Sequence, residues 1–273
     1  MKTVFGTMAF ILCFLGAFSQ VKEGKVPLGY LTANFSNPSF VNGNLKSFTQ
    51  TSYHAELVNG EVVKGQKLTD MASASNVSLR NVRFDFNRSG EMIKATGYDE
   101  NGKSIWHAIL DHENGKISKV YFIYNDTLVQ YQHHLYDDNG IKEIQAFFPE
   151  NDAIRSRTIF QTDKNGHHLK SFNYNAAGQL TSEAEFTREE MGRIKTSTLK
   201  NSEGIITNQT EYYYSTSHYE PVSMDIKITN GKPADVKGRR EHFFDERGNW
   251  IRQVRYVNNE PVNITERVYT FYE

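Results

Sequence analysis

The sequence predicts an all-β protein. We expect an antiparallel meander of tandem strand–turn units, about 12–13 residues each, that forms a long twisted or partly rolled sheet. Three observations support this fold class: glycines recur at near-constant spacing, polar and apolar residues alternate between them, and aromatic residues make up 13% of the chain. A mean hydropathy of −0.59 fits a large sheet with one face in water.

The turn glycines give the repeat its length. Each follows a polar residue or a short polar turn, and successive glycines lie 12–14 residues apart or about twice that distance. Asn125-Asp126 and Asn151-Asp152 stand near the middle of the two long gaps. Because a tight hairpin turn needs a residue with positive φ, these glycines are predicted to be structural turns. They are Gly90, Gly102, Gly115, Gly140, Gly166, Gly178, Gly192, Gly204 and, in the last hairpin, Gly248.

The residues between turns alternate with a period of two. Ala184 and Phe186 are predicted to face one side of their strand, and Glu183 and Glu185 the other. This pattern is typical of a half-buried strand, and short turns make consecutive strands antiparallel.

The first residues predict a secretory signal peptide over 1–19. Lys2 precedes an apolar run from Val4 to Leu15, and small residues at 17 and 19 favour cleavage before Gln20. The only cysteine, Cys13, lies inside this segment. We therefore expect an unlipidated mature chain without a transmembrane segment, exported to the periplasm or the cell exterior.

Residues 20–273 are predicted to form a single β-repeat domain. It starts with a hairpin around Asn59-Gly60, followed by a loop rich in Ser and Ala at 69–78. The regular repeat runs from about 84 to 212. An irregular segment over 215–240 holds one hairpin around Asn230-Gly231, and a strand over 262–272 completes the sheet.

Four segments carry a resemblance to a known repeat. They read YDENGKSI (98–105), YDDNGIKEI (136–144), YNAAGQL (174–180) and FDERGNWI (244–251). These segments resemble the YD repeats of Rhs-type proteins and of other exported bacterial repeat proteins. The resemblance implies a long twisted sheet, in some cases rolled into a shell, and implies no particular activity.

Composition and motifs argue against several functions. A formal net charge of −1 does not favour nucleic acid as a partner. We expect no cofactor and no metal, since the chain has no phosphate-binding loop and its adjacent histidines point to opposite faces of a strand. There is no Gly-x-Ser-x-Gly nucleophile motif either.

The function that these observations favour is a non-catalytic envelope protein with a binding surface for a protein or glycan partner. Trp106 and Trp250, each beside an aliphatic repeat position, are candidate binding residues if they face outward. Tyr219, Arg239 and Arg240 are further candidates, because they interrupt or flank the regular repeat. The alternatives are a hydrolase of envelope polymers, with residues converging from several strands, and a purely structural spacer.

Overall fold

A computed structural model describes most of the chain. It covers residues 25–28, 39–68, 80–138, 140–164, 166–190, 192–215 and 221–273. The predicted signal peptide at 1–19 lies outside the described residues, as does the loop predicted at 69–78.

The described residues form β-strands joined by turns, in agreement with the predicted all-β antiparallel meander. All strand pairs are antiparallel. The strands are β1 (Lys25–Leu28), β2 (Ser39–Asn42), β3 (Leu45–Val58), β4 (Glu61–Lys67), β5 (Asn81–Phe86), β6 (Met92–Tyr98), β7 (Ser104–Glu113), β8 (Lys116–Tyr124), β9 (Thr127–Asp137), β10 (Gly140–Phe147), β11 (Ile154–Thr162), β12 (His168–Asn175), β13 (Leu180–Arg188), β14 (Ile194–Asn201), β15 (Ile206–Tyr213), β16 (Ser223–Thr229), β17 (Lys232–Phe244), β18 (Trp250–Val257) and β19 (Glu260–Phe271).

The turns explain the repeat. In the turn after β6, the Asp99 carboxylate accepts hydrogen bonds from the backbone N–H groups of Asn101 and Lys103 at 2.9 and 2.8 Å. Gly102 then adopts a φ of 79° and donates its N–H to the Asp99 carbonyl oxygen. The same cap, an Asp or Asn followed three residues later by glycine, recurs at Asp163, Asn175, Asn201 and Asp245. This turn requires an Asp or Asn that accepts backbone N–H groups and a glycine that adopts a positive φ, which explains the motif D/N-x-x-G.

The sheet closes on itself, so the expectation of a long twisted or partly rolled sheet is wrong. β19 pairs with β3 from Asn263 opposite His54 to Phe271 opposite Leu45. β3 also pairs with β5, from Ser47 opposite Asp85 onward. The ring of the barrel therefore runs through β3 and then β5 to β19. Closure joins strands that are about two hundred residues apart, and no local turn or alternation encodes such a contact.

The strand β4 forms an arm with the end of β3. In the described registers it pairs with β3 alone, from Tyr53 opposite Lys67 to Val58 opposite Glu61. Ala55 and Val62 of this arm pack against Val254, Tyr256 and Ile264 of β18 and β19. A hydrogen bond from the Arg252 guanidinium to the Val62 carbonyl oxygen and the ion pair between Lys64 and Glu266 hold the arm in place.

The segment predicted to be irregular holds the expected hairpin. Strands β16 and β17 flank Asn230-Gly231, where both residues have positive φ. This geometry is the two-residue hairpin turn that matches the twist of the strands. The sheet therefore continues through the described part of 215–240.

Buried apolar residues line one face of the wall in separate clusters. The largest spans β3 and β5 to β8 and includes Phe48, Phe84 and Trp106. A second lies on β13 to β16, and a third on β10 and β11. At one rim, Tyr136, Tyr214 and Tyr269 each donate a hydrogen bond of 2.8–2.9 Å to a carbonyl oxygen at the start of the preceding strand.

Candidate functional site

The strand registers assign each paired residue to one face of the wall. Directly paired residues share a face, and neighbours along a strand alternate. Phe84, Ala108 and Val120 share one face and are buried, whereas the opposite face carries exposed residues such as Ile109 and Val268. The buried face is therefore the inside of the barrel.

The outer face carries the acidic residues. Every Asp and Glu paired within the described ring faces outward, strand-terminal residues aside. These residues are Asp85, Asp111, Glu143, Glu183, Glu185, Glu211, Asp225, Glu241 and Glu266. Basic side chains stand beside many of them, as in the pairs Arg83–Asp85, Arg157–Glu143 and Lys227–Asp225. The outer wall is consequently a charged surface suited to contact with water.

The inner face carries arginine and histidine instead. Arg240, Arg255 and Arg267 point inward, and so do His134 and His168. Burial lowers the pKa of His134 to about 4 and that of His168 to about 3, so both rings are neutral near pH 7. The inner wall is therefore basic through its arginines.

A row of apolar and aromatic side chains crosses the outer face of four neighbouring strands. Ile109 of β7, Tyr121 of β8, Tyr131 of β9 and Phe147 of β10 are directly paired in succession. The rings of Tyr131 and Phe147 stack with centroids 5.0 Å apart and an interplanar angle of 8°. We call these four residues the aromatic row. At a strand spacing of about 4.7–4.9 Å, the row is ~14 Å long.

Polar groups border the aromatic row. The Tyr131 hydroxyl donates a 2.7 Å hydrogen bond to the Asp152 carboxylate, and this bond raises the pKa of Tyr131. The His133 ring lies 4.9 Å from the ring of Phe147. Burial and the nearby Lys119 lower the pKa of His133, which favours the neutral imidazole. The site thus combines flat apolar faces with neutral and acidic hydrogen-bonding groups.

Both tryptophans lie inside the barrel. Trp106 is 2% exposed and Trp250 is 7% exposed, whereas Ile251 beside Trp250 is 39% exposed. Trp106 covers Gly97 on the neighbouring strand. The guanidinium of Arg267 stacks on Trp250, with its Cζ atom 3.6 Å from the ring centroid. A role for the tryptophans in binding would therefore have to involve the interior and not the outer face.

The other three candidate residues are not brought together. Tyr219 lies outside the described residues. Arg239 is on the outer face, where it pairs with Glu241 and lies 3.8 Å from the centroid of the Tyr256 ring. Arg240 follows it in the strand and points to the inside. Adjacent strand residues face opposite ways, so the two arginines cannot serve one site.

The nine glycines predicted to form structural turns all have positive φ, between 72° and 124°. They lie in the turns at both rims or at a strand end.

Sequence reasoning missed the aromatic row. Tyr121, Tyr131 and Phe147 occupy positions that alternate with inward residues, as period two requires, but their alignment across strands depends on register. The sequence held one signal of the row: the alternation of residues places Tyr121 on the outer face, between the inward residues Val120 and Phe122.

The carboxylates that could suggest hydrolysis are held in ion pairs. Glu183 and Glu185 on β13 stand between Lys170 of β12 and Lys200 of β14. Hydrogen bonds from both lysines lower the pKa of Glu185 to about 2, so this group cannot act as an acid near neutral pH. Among the described residues, no group of three or more His, Cys, Asp or Glu side chains could hold a metal ion.

In the part of the chain that the structure describes, no helix is long and apolar enough to cross a membrane.

Comparison with known proteins shows the fold alone. No protein family profile and no curated protein matches the sequence. The structure of a porin-like protein from Bacteroides uniformis ATCC 8492 matches with a TM-score of 0.53 and 6% identity, over 83% of this chain and 98% of that one. A porin-like protein from Bacteroides vulgatus ATCC 8482 matches with a TM-score of 0.48 and 10% identity, over 84% and 99% of the two chains.

The assignment to YD repeats of the Rhs type is therefore wrong. The chain is a closed barrel, and the Bacteroides uniformis structure matches it over 83% of its length. The YD-like segments reflect the Asp- or Asn-capped turn with its glycine, which any antiparallel meander can use.

Proposed function

We propose that this chain is an exported, non-catalytic barrel protein of the cell envelope that binds a glycan on the aromatic row of its outer wall. The observation that supports this most directly is the aligned series from Ile109 to Phe147, an apolar surface about 14 Å long on a wall that carries many charged side chains. Isolated apolar residues on a surface are ordinary, but a contiguous set bordered by polar groups is typical of an interaction site.

The chemistry of the row favours a glycan as the ligand. Sugar rings present flat C–H faces that stack on aromatic rings, and their hydroxyl groups form hydrogen bonds at the ring edges. Tyr121 and Tyr131 offer both a ring face and a hydroxyl, and Asp152 and His133 add acceptors beside them. A linear oligosaccharide could lie along the row, perpendicular to the strands.

The charged outer wall favours an aqueous location in the periplasm or outside the cell. A barrel that spans a bilayer presents an apolar band about 25 Å tall to the lipid, and a charge near its middle is costly. Here Glu185 lies within β13 on the outer face, with Lys170 of β12 and Lys200 near the end of β14 as its ion-pair partners. This arrangement argues against a pore that crosses a membrane.

The proposal is tested by isothermal titration of the mature chain with linear hexasaccharides of glucose, linked β-1,4 or α-1,4, and with soluble peptidoglycan fragments. We expect saturable binding to at least one glycan. Tyr131→Ala should weaken it at least tenfold, about 1.4 kcal/mol, because it removes the central stacking ring.

Phe243→Ala is the matched control, since Phe243 is a 47% exposed aromatic residue on the outer face of β17. It should leave the affinity within twofold. Absence of binding to all the glycans, or equal affinity of the Tyr131 variant and the unmodified chain, contradicts the proposal. Release of shortened sugars during incubation would instead support a hydrolase.

A further inference from the structure

Two arginines face each other on the inner wall. Arg240 of β17 and Arg255 of β18 are directly paired, so their side chains leave the sheet on the same side. Like charges in this position destabilise a pair of strands. Surrounding protein and the neighbouring charge of Arg240 lower the pKa of Arg255, although solvent reaches its side chain from within the barrel.

Near this pair, the described strands place one carboxylate on the inner side, that of Glu260, which is exposed at the rim opposite Val257. Asp225, Glu241 and Glu266 of the neighbouring strands all face outward. The other inward residues that flank the pair in the registers of β15 to β19 and β3 are uncharged polar, histidine or apolar groups. They are Tyr212, Met224, Gly238, His242, Gln253, Val257, Asn263, Thr265, Ser52 and His54.

The guanidinium of Arg240 also has donors without acceptors. Its Nε and Nη1 atoms are buried and form no hydrogen bond within the described part of the chain. Arg267, another inward arginine, shows the contrast, because it donates from Nε to Gln50 and lies between the rings of Phe48 and Trp250. A buried donor that loses water needs a partner, and none is provided by these neighbours.

We propose that Arg240 and Arg255 form a binding site for an oxyanion inside the barrel, and that it holds the carboxylate, phosphate or sulfate group of a small ligand. The guanidinium group presents a planar fork of donors that matches such oxygen pairs. One anion between the two forks would satisfy the buried donors and cancel the repulsion. The side-chain amide of Asn263 lies on the same face and can bind a hydroxyl group of the ligand.

This site is independent of the aromatic row, which lies on the outer face of β7 to β10. Either site can therefore be lost without loss of the other.

The experiment uses the mature chain in a buffer of low anion content, with inorganic phosphate, sulfate and glucuronate as probes and glucose as the uncharged match for glucuronate. Binding is measured by titration calorimetry and by the shift of the melting temperature. We expect saturable binding of at least one anion and none of glucose. Arg240→Gln and Arg255→Gln should each weaken anion binding at least tenfold.

A second measurement separates binding from folding. Without anion, Arg255→Gln should melt at a higher temperature than the unmodified chain, because the repulsion is relieved. With saturating anion, the unmodified chain should gain melting temperature and the variant should not. Lys237→Gln is the control, because it removes one positive charge from the outer face of the same strand, β17. It should respond to anion like the unmodified chain.

Several results would overturn the proposal. These are the absence of any saturable response to the three anions, equal binding of glucose and glucuronate, an unchanged affinity in both arginine variants, and an equal loss in Lys237→Gln. The last result would show that net charge, and not the inner pair, attracts the anion.

Discussion

Gly97 lies directly opposite Trp106 on the inner face, and a Cβ atom on Gly97 would overlap the Nε1 atom of the indole. The position therefore has to be glycine although its φ is not in the left-handed region. Gly102, five residues later, shows the other reason for a glycine: its φ is 79°, and a Cβ atom added there would have no neighbouring atom within 4 Å.

We predict that Gly97→Ala lowers the free energy of unfolding by about 1–3 kcal/mol, because the indole has to move in a packed cluster. Gly102→Ala should cost about 1 kcal/mol from backbone strain alone. Urea denaturation followed by tryptophan fluorescence distinguishes them, since only the first variant should also change the emission of the native state. An unaltered native spectrum in Gly97→Ala would show that the overlap is relieved elsewhere.

At the scale of single residues, the sequence predicts the turn glycines but not the role of Gly97. A turn glycine is marked by the polar residues before it, as in Asp99-Glu100-Asn101-Gly102. The reason for Gly97 lies on a different strand and becomes visible only in the register. Likewise, the interior position of Trp250 depends on the bulge between β17 and β18, which leaves Ile251 outside.

At the scale of the strand, the ladder on β12 to β14 is the clearest electrostatic element of the outer wall. Glu185 accepts hydrogen bonds from Lys170 and from Lys200, the latter at 2.7 Å. Its pKa of about 2 lies below the value of 4.5 for an unpaired glutamate. The contribution of this group to stability is therefore complete above pH 4.5 and is lost as the pH falls toward 2.

We predict that Glu185→Gln lowers the free energy of unfolding by roughly 0.5–1 kcal/mol at pH 7 and has no effect near pH 2. The effect is small because solvent screens the partly exposed ladder. Chemical denaturation at several pH values provides the measurement. Glu246→Gln, in the exposed turn before β18, is the control and should change stability little at any pH. A difference between Glu185→Gln and the unmodified chain that persists at pH 2 would mean that packing, not charge, is responsible.

The strands themselves were largely predictable. Alternation over 180–187 and the hairpin at Asn230-Gly231 both appear as expected, since each depends on neighbours in sequence. The arm formed by β4 was not foreseen, because its hairpin around Asn59-Gly60 reads like any other in the meander. Only its packing on Val254 and Ile264 distinguishes it.

At the scale of the molecule, closure is the feature that sequence reasoning lacked. The pairing of β19 with β3 supplies nine paired positions that no repeat unit contains. Two consequences for the candidate sites follow. Closure separates an inside from an outside, so the alternation along each strand decides whether a side chain faces the lumen or bulk water. It also places Arg240, Arg255 and Arg267 on the inner wall, where the nearby described strands offer one carboxylate, that of Glu260 at the rim.

The N–H of Tyr272 donates a 2.8 Å hydrogen bond to the Asn44 carbonyl oxygen, so the last strand of the ring ends beside the start of the first. The strand pairs of the closed ring therefore do not depend on which strand comes first in the chain.

A circular permutant that begins at Asp126, continues through Glu273 and a short glycine linker to Ser39, and ends at Asn125 would keep every pair of the ring. Its opening lies in the exposed two-residue turn between β8 and β9, where both residues have positive φ. Such exposed turns tolerate breaks. We expect a cooperative thermal melt and an unchanged β-sheet circular dichroism spectrum, whereas an unfolded permutant would mean that the ring needs its natural order of synthesis to close.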